Sequence, residues 1–176
     1  VQDRYPGYPQ HTRLESVYNT DENGKVNVIT ALFPFDLNVA KPVAARITVE
    51  GVTGGTIDHG NNVKDVILES ANDKKYTAEG IDFFGKAVLA RMSDDANAFY
   101  FTRHAKEFLS GSVGFESDSP VSIYVKGTVG VITSEGAKIK LKGAGMENVQ
   151  FGSGVTVVSS GTDFIEVEIP AGEVRF

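Results

Sequence analysis

Arg103, His104 and Lys106 form the densest cationic cluster in the chain, with Tyr100 just before them and Tyr124 further on. An Arg fork and a Lys ammonium recognise carboxylate and sulfate groups. A Tyr ring offers a flat apolar body with a polar tip, which suits a sugar face. In eliminative cleavage of uronic acids, a cation neutralises the carboxylate while His or Tyr moves the proton. These five residues are therefore the glycan-binding candidates. The plainer reading is a charged strand end, with Arg and Lys exposed and paired to Glu107 and Asp95.

Other chemistry finds less support. The chain has no Cys, which removes disulfides and thiolate metal sites. It has no G-x-S-x-G, P-loop or H-E-x-x-H pattern. Gly111-Ser112-Val113-Gly114 has the wrong spacing for a nucleophile elbow and reads as a turn. His11, His59 and His104 lie far apart, and nothing in their spacing indicates a shared metal. Asn19-x-Asp21-x-Asn23-Gly24 matches the first half of a calcium loop, so Asn19, Asp21 and Asn23 are weak calcium candidates. The closing Glu of such a loop is replaced by Thr30, and an Asn-Gly hairpin explains the same residues without an ion. Asp58 with His59, and Asp94 with Asp95, read as solvated loops. No catalytic residue and no cofactor is assigned.

These side chains need a scaffold, and the pattern points to strands. The stretch from Asn97 to Lys126 alternates Val121, Ile123 and Val125 against Ser122, Tyr124 and Lys126. Further strands are expected at His11–Tyr18, Lys25–Phe35, Val43–Glu50 and Val63–Glu69. Ile81–Arg91 reads as two strands around a turn or bulge at Gly85, and His104–Leu109 as one helical turn. The last third yields short strands at Thr128–Thr133, Ala137–Lys142, Val149–Phe151, Val155–Ser159, Phe164–Ile169 and Val174–Phe176. Ser134–Gly136 and Pro170-Ala171-Gly172 are the turns between them. Close-set turn signals in a strand-forming chain indicate an antiparallel β-sandwich of many short strands. The 176 residues form one domain, with a soft division at 51–62, where Gly51–Gly55 turns and Thr56–Asn62 loops. The net charge of −6 does not steer the chain toward nucleic acid. No apolar run reaches membrane-spanning length. The polar start VQDRYPGYPQ is no signal peptide, so any targeting segment is expected outside this chain.

VITALFPFD at Val28–Asp36 resembles a strand in the β-sandwich portion of heparinase II/III-type polysaccharide lyases. The later segments come in a similar order: Asp65-Val66-Ile67, then FFGKAVLAR, then SDSPVSIYVKG, then the closing GTDFIEVEIPAGEVRF. In that family the catalytic Tyr, His, Asn and Arg lie mainly in a helical toroid and the first part of the β region. The resemblance therefore implies a C-terminal accessory domain without activity alone. It would be secreted to the periplasm or outside the cell, pack on a catalytic domain and contact acidic polysaccharide. No position here matches a family catalytic motif. The alternatives are a free-standing carbohydrate-binding module, or a small jelly-roll lyase using Arg103, His104 and Tyr100 or Tyr124.

Overall fold

The computed structural model describes residues 41–71, 73–94 and 98–176. The first two expected strands, the VITALFPFD stretch, and Asn19, Asp21, Asn23 and Asp95 lie outside the described residues. What is described is all-β and antiparallel. Ten strands run in chain order: β1 (Val43–Val49), β2 (Val52–Gly60), β3 (Val63–Ser70), β4 (Lys75–Ala78) and β5 (Ile81–Met92), then β6 (Phe99–Ser110), β7 (Val113–Lys126), β8 (Val129–Lys142), β9 (Thr156–Gly161) and β10 (Phe164–Arg175). They form one sheet in the order β1-β2-β3-β5-β6-β7-β8-β10-β9, with β4 also pairing β5. One 3-10 turn, Met146–Asn148, is the sole helical element among the described residues.

The long strands bend in the middle, and the bends line up across the sheet. The β5–β6 register shifts between Phe84 and Gly85. The β6–β7 register shifts between Thr102 and Ala105, and again before Glu107. The β7–β8 register shifts between Ser117 and Ser122. On β8 and β10 the same level carries Gly136 and Gly172, both at positive φ. On the first edge, β3 pairs one half of β5 and β4 the other, so the break between them falls on this line too. Bulges and glycines bend a strand and raise its twist.

Ring contacts show how far the bend goes. Tyr100 and Phe108 sit on the same strand, where an extended chain would hold them about 26 Å apart. Their ring centroids are 4.6 Å apart, and Tyr100 also stacks on Phe115 at 6.2 Å. The sheet is folded over along the line of bulges. It makes a first layer from β1–β3 and the near halves of β5–β8 and β10, and a second from β4, β9 and the remaining halves. Side chains from both inner faces fill the space between. Val66, Leu68, Val88, Ile123 and Ile132 come from the first layer, and Ile81, Phe83, Phe115, Ile139 and Val167 from the second, all at 2 % exposure or less. Burying a side chain of this kind contributes roughly 1.5–3 kcal/mol.

Several turn signals change meaning in this architecture. Gly54 and Gly55 sit inside β2 rather than in a turn. A Cβ on Gly54 would meet the Ile67 carbonyl at 2.6 Å, so this glycine permits close approach of β3. Ile81–Arg91 is one bulged strand, and His104–Leu109 continues β6 with no helical turn. Ser134–Gly136 and Pro170–Gly172 are corners within β8 and β10, not turns between strands. Val149–Phe151 forms no strand. β4, with Tyr76 buried in it, has no counterpart among the expected strands.

Candidate functional site

Alternation along the first layer sends one set of side chains into the core and the other outward. In β6, Tyr100 and Thr102 point in, while Phe99, Phe101 and Arg103 point out. In β7, Ile123 and Val125 point in, while Tyr124 and Lys126 point out. The register sets the outward residues in rows across the strands. Ile67 pairs with Leu89, Leu89 with Phe101, Phe101 with Tyr124, and Tyr124 with Val131. This row crosses five strands, about 19 Å at normal strand spacing. Phe101 is 41 % exposed and Tyr124 39 %. Phe99 tilts against Tyr124 with centroids 6.1 Å apart.

Cations flank the row on both sides. Phe99 lies opposite Arg91 on one strand and Lys126 on the other. The Arg91 guanidinium stands 5.7 Å from the Phe99 ring centroid, within cation–π range. Arg103 follows Phe101 on the same face, diagonal to Tyr124 and within side-chain reach of it. Its nearest acid is Glu69, with Nη2 donating to Oε1 at 3.4 Å and both side chains more than half exposed. A pair that long and wet is weak.

Arg91 is anchored more firmly. Its Nε donates to Asp65 Oδ1 at 2.7 Å and its Nη2 to Oδ2 at 2.8 Å. His59 Nε2 lies 2.8 Å from the same Oδ2. Burial raises the Asp65 pKa, but hydrogen bonds from Arg91 and His59 and their charges outweigh it, leaving the carboxyl below its usual value. The network fixes the guanidinium against Phe99.

Of the five glycan candidates, the structure brings three to this outer face. Tyr124 is part of the aromatic row, and Arg103 borders it. His104 points outward at the bulge where β6 carries an extra residue opposite Ser122. Its backbone N–H donates to Ser122 Oγ at 3.1 Å, and its φ of 48° is left-handed. Lys106 sits beyond the corner, on the half of β6 that belongs to the second layer. Tyr100 is in the core at 3 % exposure, its ring covered by Phe108 and Phe115. It is therefore no stacking platform for a sugar on the surface. The sequence reading did not count Phe99, Phe101 and Lys126 as candidates: it set Lys126 beside Tyr124 on the face opposite Val121, Ile123 and Val125, but nothing within FYFTR says which of its rings is outside. It also read Asp58 and His59 as loop residues, whereas β2 carries both.

Among the described residues, no group of three or more His, Asp or Glu side chains is arranged to hold a metal ion. No known family model and no curated protein sequence matches the chain.

Proposed function

We propose that this chain is a non-catalytic β-sandwich domain that binds acidic polysaccharide, working beside the catalytic domain of a secreted polysaccharide lyase. The observation that carries the reading is the outer row of Phe101 and Tyr124, joined by Phe99 and flanked by Arg91, Lys126 and Arg103. Flat apolar rings match the hydrophobic face of a pyranose, and cations spaced beside them match carboxylates or sulfates repeated along a chain. The sequence resemblance to the sandwich portion of heparinase II/III-type lyases supports the same substrate class. Contact with a catalytic domain is supported by β9, an edge strand that exposes Val157 at 55 % and Val158 at 42 %. Unpaired strand edges with apolar side chains are usually covered by a partner.

The test is titration of the chain with alginate, ulvan and heparin-type oligosaccharides beside neutral glucans. Binding to an acidic polymer that weakens with salt, and weakens at least tenfold in Phe101→Ala/Tyr124→Ala, is the expected result. Equal affinity for neutral glucans, or none for any acidic polymer, would overturn it. Release of unsaturated uronate by the chain alone would replace the accessory reading with a lyase.

A further inference from the structure

The aromatic row of the first face has a charged neighbour whose signs cancel. On the adjoining rung of the same face, Glu69 lies opposite Ala87, and Ala87 opposite Arg103. Ala87 offers only a methyl group, and the Arg103 guanidinium meets Glu69 across it. One step further, at the fold line, Lys86 and His104 fall between the same two rungs, Gly85–Ala105 and Ala87–Arg103. Lys86 Nζ donates to Asp73 Oδ1 at 2.6 Å. Asp73 is held below the usual carboxylate range, first by its bond to Lys86 and to a lesser degree by the charge of His104, so the imidazole stands near it. Arg103 and Lys86 are thus balanced by Glu69 and Asp73. On its other sides His104 meets only the Ser122 hydroxyl of β7, and Lys106 of its own strand beyond the corner. The backbone of His104 is strained: its φ of 48° lies in a region that residues with side chains seldom adopt. The β6 bulge and the bond from its N–H to Ser122 Oγ hold it there, with the residue exposed. Imidazole is the side chain that changes charge between about pH 5 and 8.

We propose that His104 makes the first face pH-sensitive: protonation of its imidazole turns a balanced cluster beside the aromatic row cationic and strengthens the binding of acidic polysaccharide. This rests on the glycan-binding reading of that face and adds a regulation to it. Glu69 and Asp73 already face Arg103 and Lys86, so the added charge is left for an anionic ligand. His59 belongs to the same layer but acts differently. Its side chain is 13 % exposed and its Nε2 is bound to Asp65, so a proton there is answered by that carboxylate.

The probes are heparin- and alginate-derived oligosaccharides, titrated into the full chain from about pH 8 to about pH 5.5 at fixed ionic strength. Sulfates and uronate carboxylates stay ionised over this range, so a change in affinity reports on the protein. The parent should bind about 3- to 10-fold tighter at the acid end, the effect of one added charge at an exposed site. His104→Asn tolerates the left-handed backbone and does not titrate, so its affinity should not vary with pH. By linkage, saturating oligosaccharide should raise the pH at which the His104 ring titrates, followed by the NMR shifts of its imidazole. A flat parent profile, with Phe101→Ala/Tyr124→Ala still weakening binding, would overturn the pH sensitivity and leave the glycan face standing. A slope that persists in His104→Asn, or a His104 titration that the oligosaccharide does not move, would overturn it as well. Absence of binding at every pH would overturn both readings.

Discussion

The two layers of the folded sheet present different outer faces. The second layer is tiled with charge pairs. Lys142 Nζ meets Glu116 at 2.7 Å, Lys138 meets Glu166 at 3.1 Å, and Lys75 meets Glu107. Lys140 stands 4.1 Å above the Phe164 ring centroid, covering the aromatic face on that side. The first layer has the same strand architecture but leaves Phe101 and Tyr124 open, and its Arg103 holds only a loose pair with Glu69. One face satisfies its own charges and shields its ring. The other displays rings and cations together. Strand pairing cannot explain this difference, because the same strands, β5 to β8, build both faces. A function that uses rings and cations therefore belongs to the first layer.

The contrast exists only while the sheet stays folded, and the strongest test is at the fold line. Gly85 is buried at the inside of the corner, opposite Ala105. A Cβ placed on it would stand 2.6 Å from Ala105 Cα, with Phe83 Cζ at 2.9 Å. Neither neighbour is free to retreat: Ala105 and Phe83 are both at 0 % exposure. Gly85→Ala should cost about 3 kcal/mol or more, above the usual overpacking range because backbone must move. Urea denaturation followed by intrinsic tyrosine fluorescence measures it. A loss under about 1 kcal/mol would mean the corner is looser than it looks, and with it the separation of the two faces.

The corner also explains how far the sequence could be read. The all-β, antiparallel class was legible because period-2 patterning survives bending: Val121, Ile123 and Val125 stay inside whichever layer they serve. Strand length was not. Gly85, Gly136 and the Pro170–Gly172 segment carry the same composition as a chain reversal, but here they bend a strand that goes on. Glycine and proline report that the backbone departs from a flat strand, not whether it turns back. Real reversals, at Asn61-Asn62, Glu79-Gly80 and Gly111, have the left-handed φ values such hairpins need. At the site, Arg103 and Tyr124 were legible as chemistry, but Tyr100 was misjudged because an aromatic ring in FYFTR fits either face. Only the neighbouring strands decide which ring is outside.

A smaller effect tests the anchoring of the first face. Asp65 is held ionised by Arg91 and His59, so its folded pKa lies below its unfolded value near 4. A depressed carboxyl contributes stability that is fully present above the unfolded pKa. That stability is lost as pH falls through the folded pKa. The parent should therefore lose stability below about pH 4 more steeply than Asp65→Asn, whose amide does not titrate. At neutral pH, Asp65→Asn should cost about 2 kcal/mol, because it weakens two charge-assisted bonds and leaves Arg91 without its counter-charge. It should also loosen the guanidinium above Phe99 and reduce acidic-glycan affinity, which no charge change on the second layer would do. Parallel acid-denaturation curves for the two proteins check the sign.

The smallest effects are expected on the second face, and their smallness is the informative part. Lys142→Ala removes the partner of Glu116, with the Lys side chain 27 % and the Glu side chain 48 % exposed. Pairs this accessible contribute about 0–1 kcal/mol, and salt screens them further. Lys142→Ala should thus shift the denaturation midpoint little and leave acidic-glycan affinity within about twofold of the parent, since its charge is far from the aromatic row and already neutralised by Glu116. Lys126→Ala removes the same charge from the first face, next to Phe99. It should cost more affinity than stability, about threefold or more, and flatten the salt dependence of binding. If the two lysine variants lose affinity equally, polyanions are responding to overall charge alone. The rings of the first layer would then have no privileged role, and the distinction between the faces would be one of surface finish rather than function.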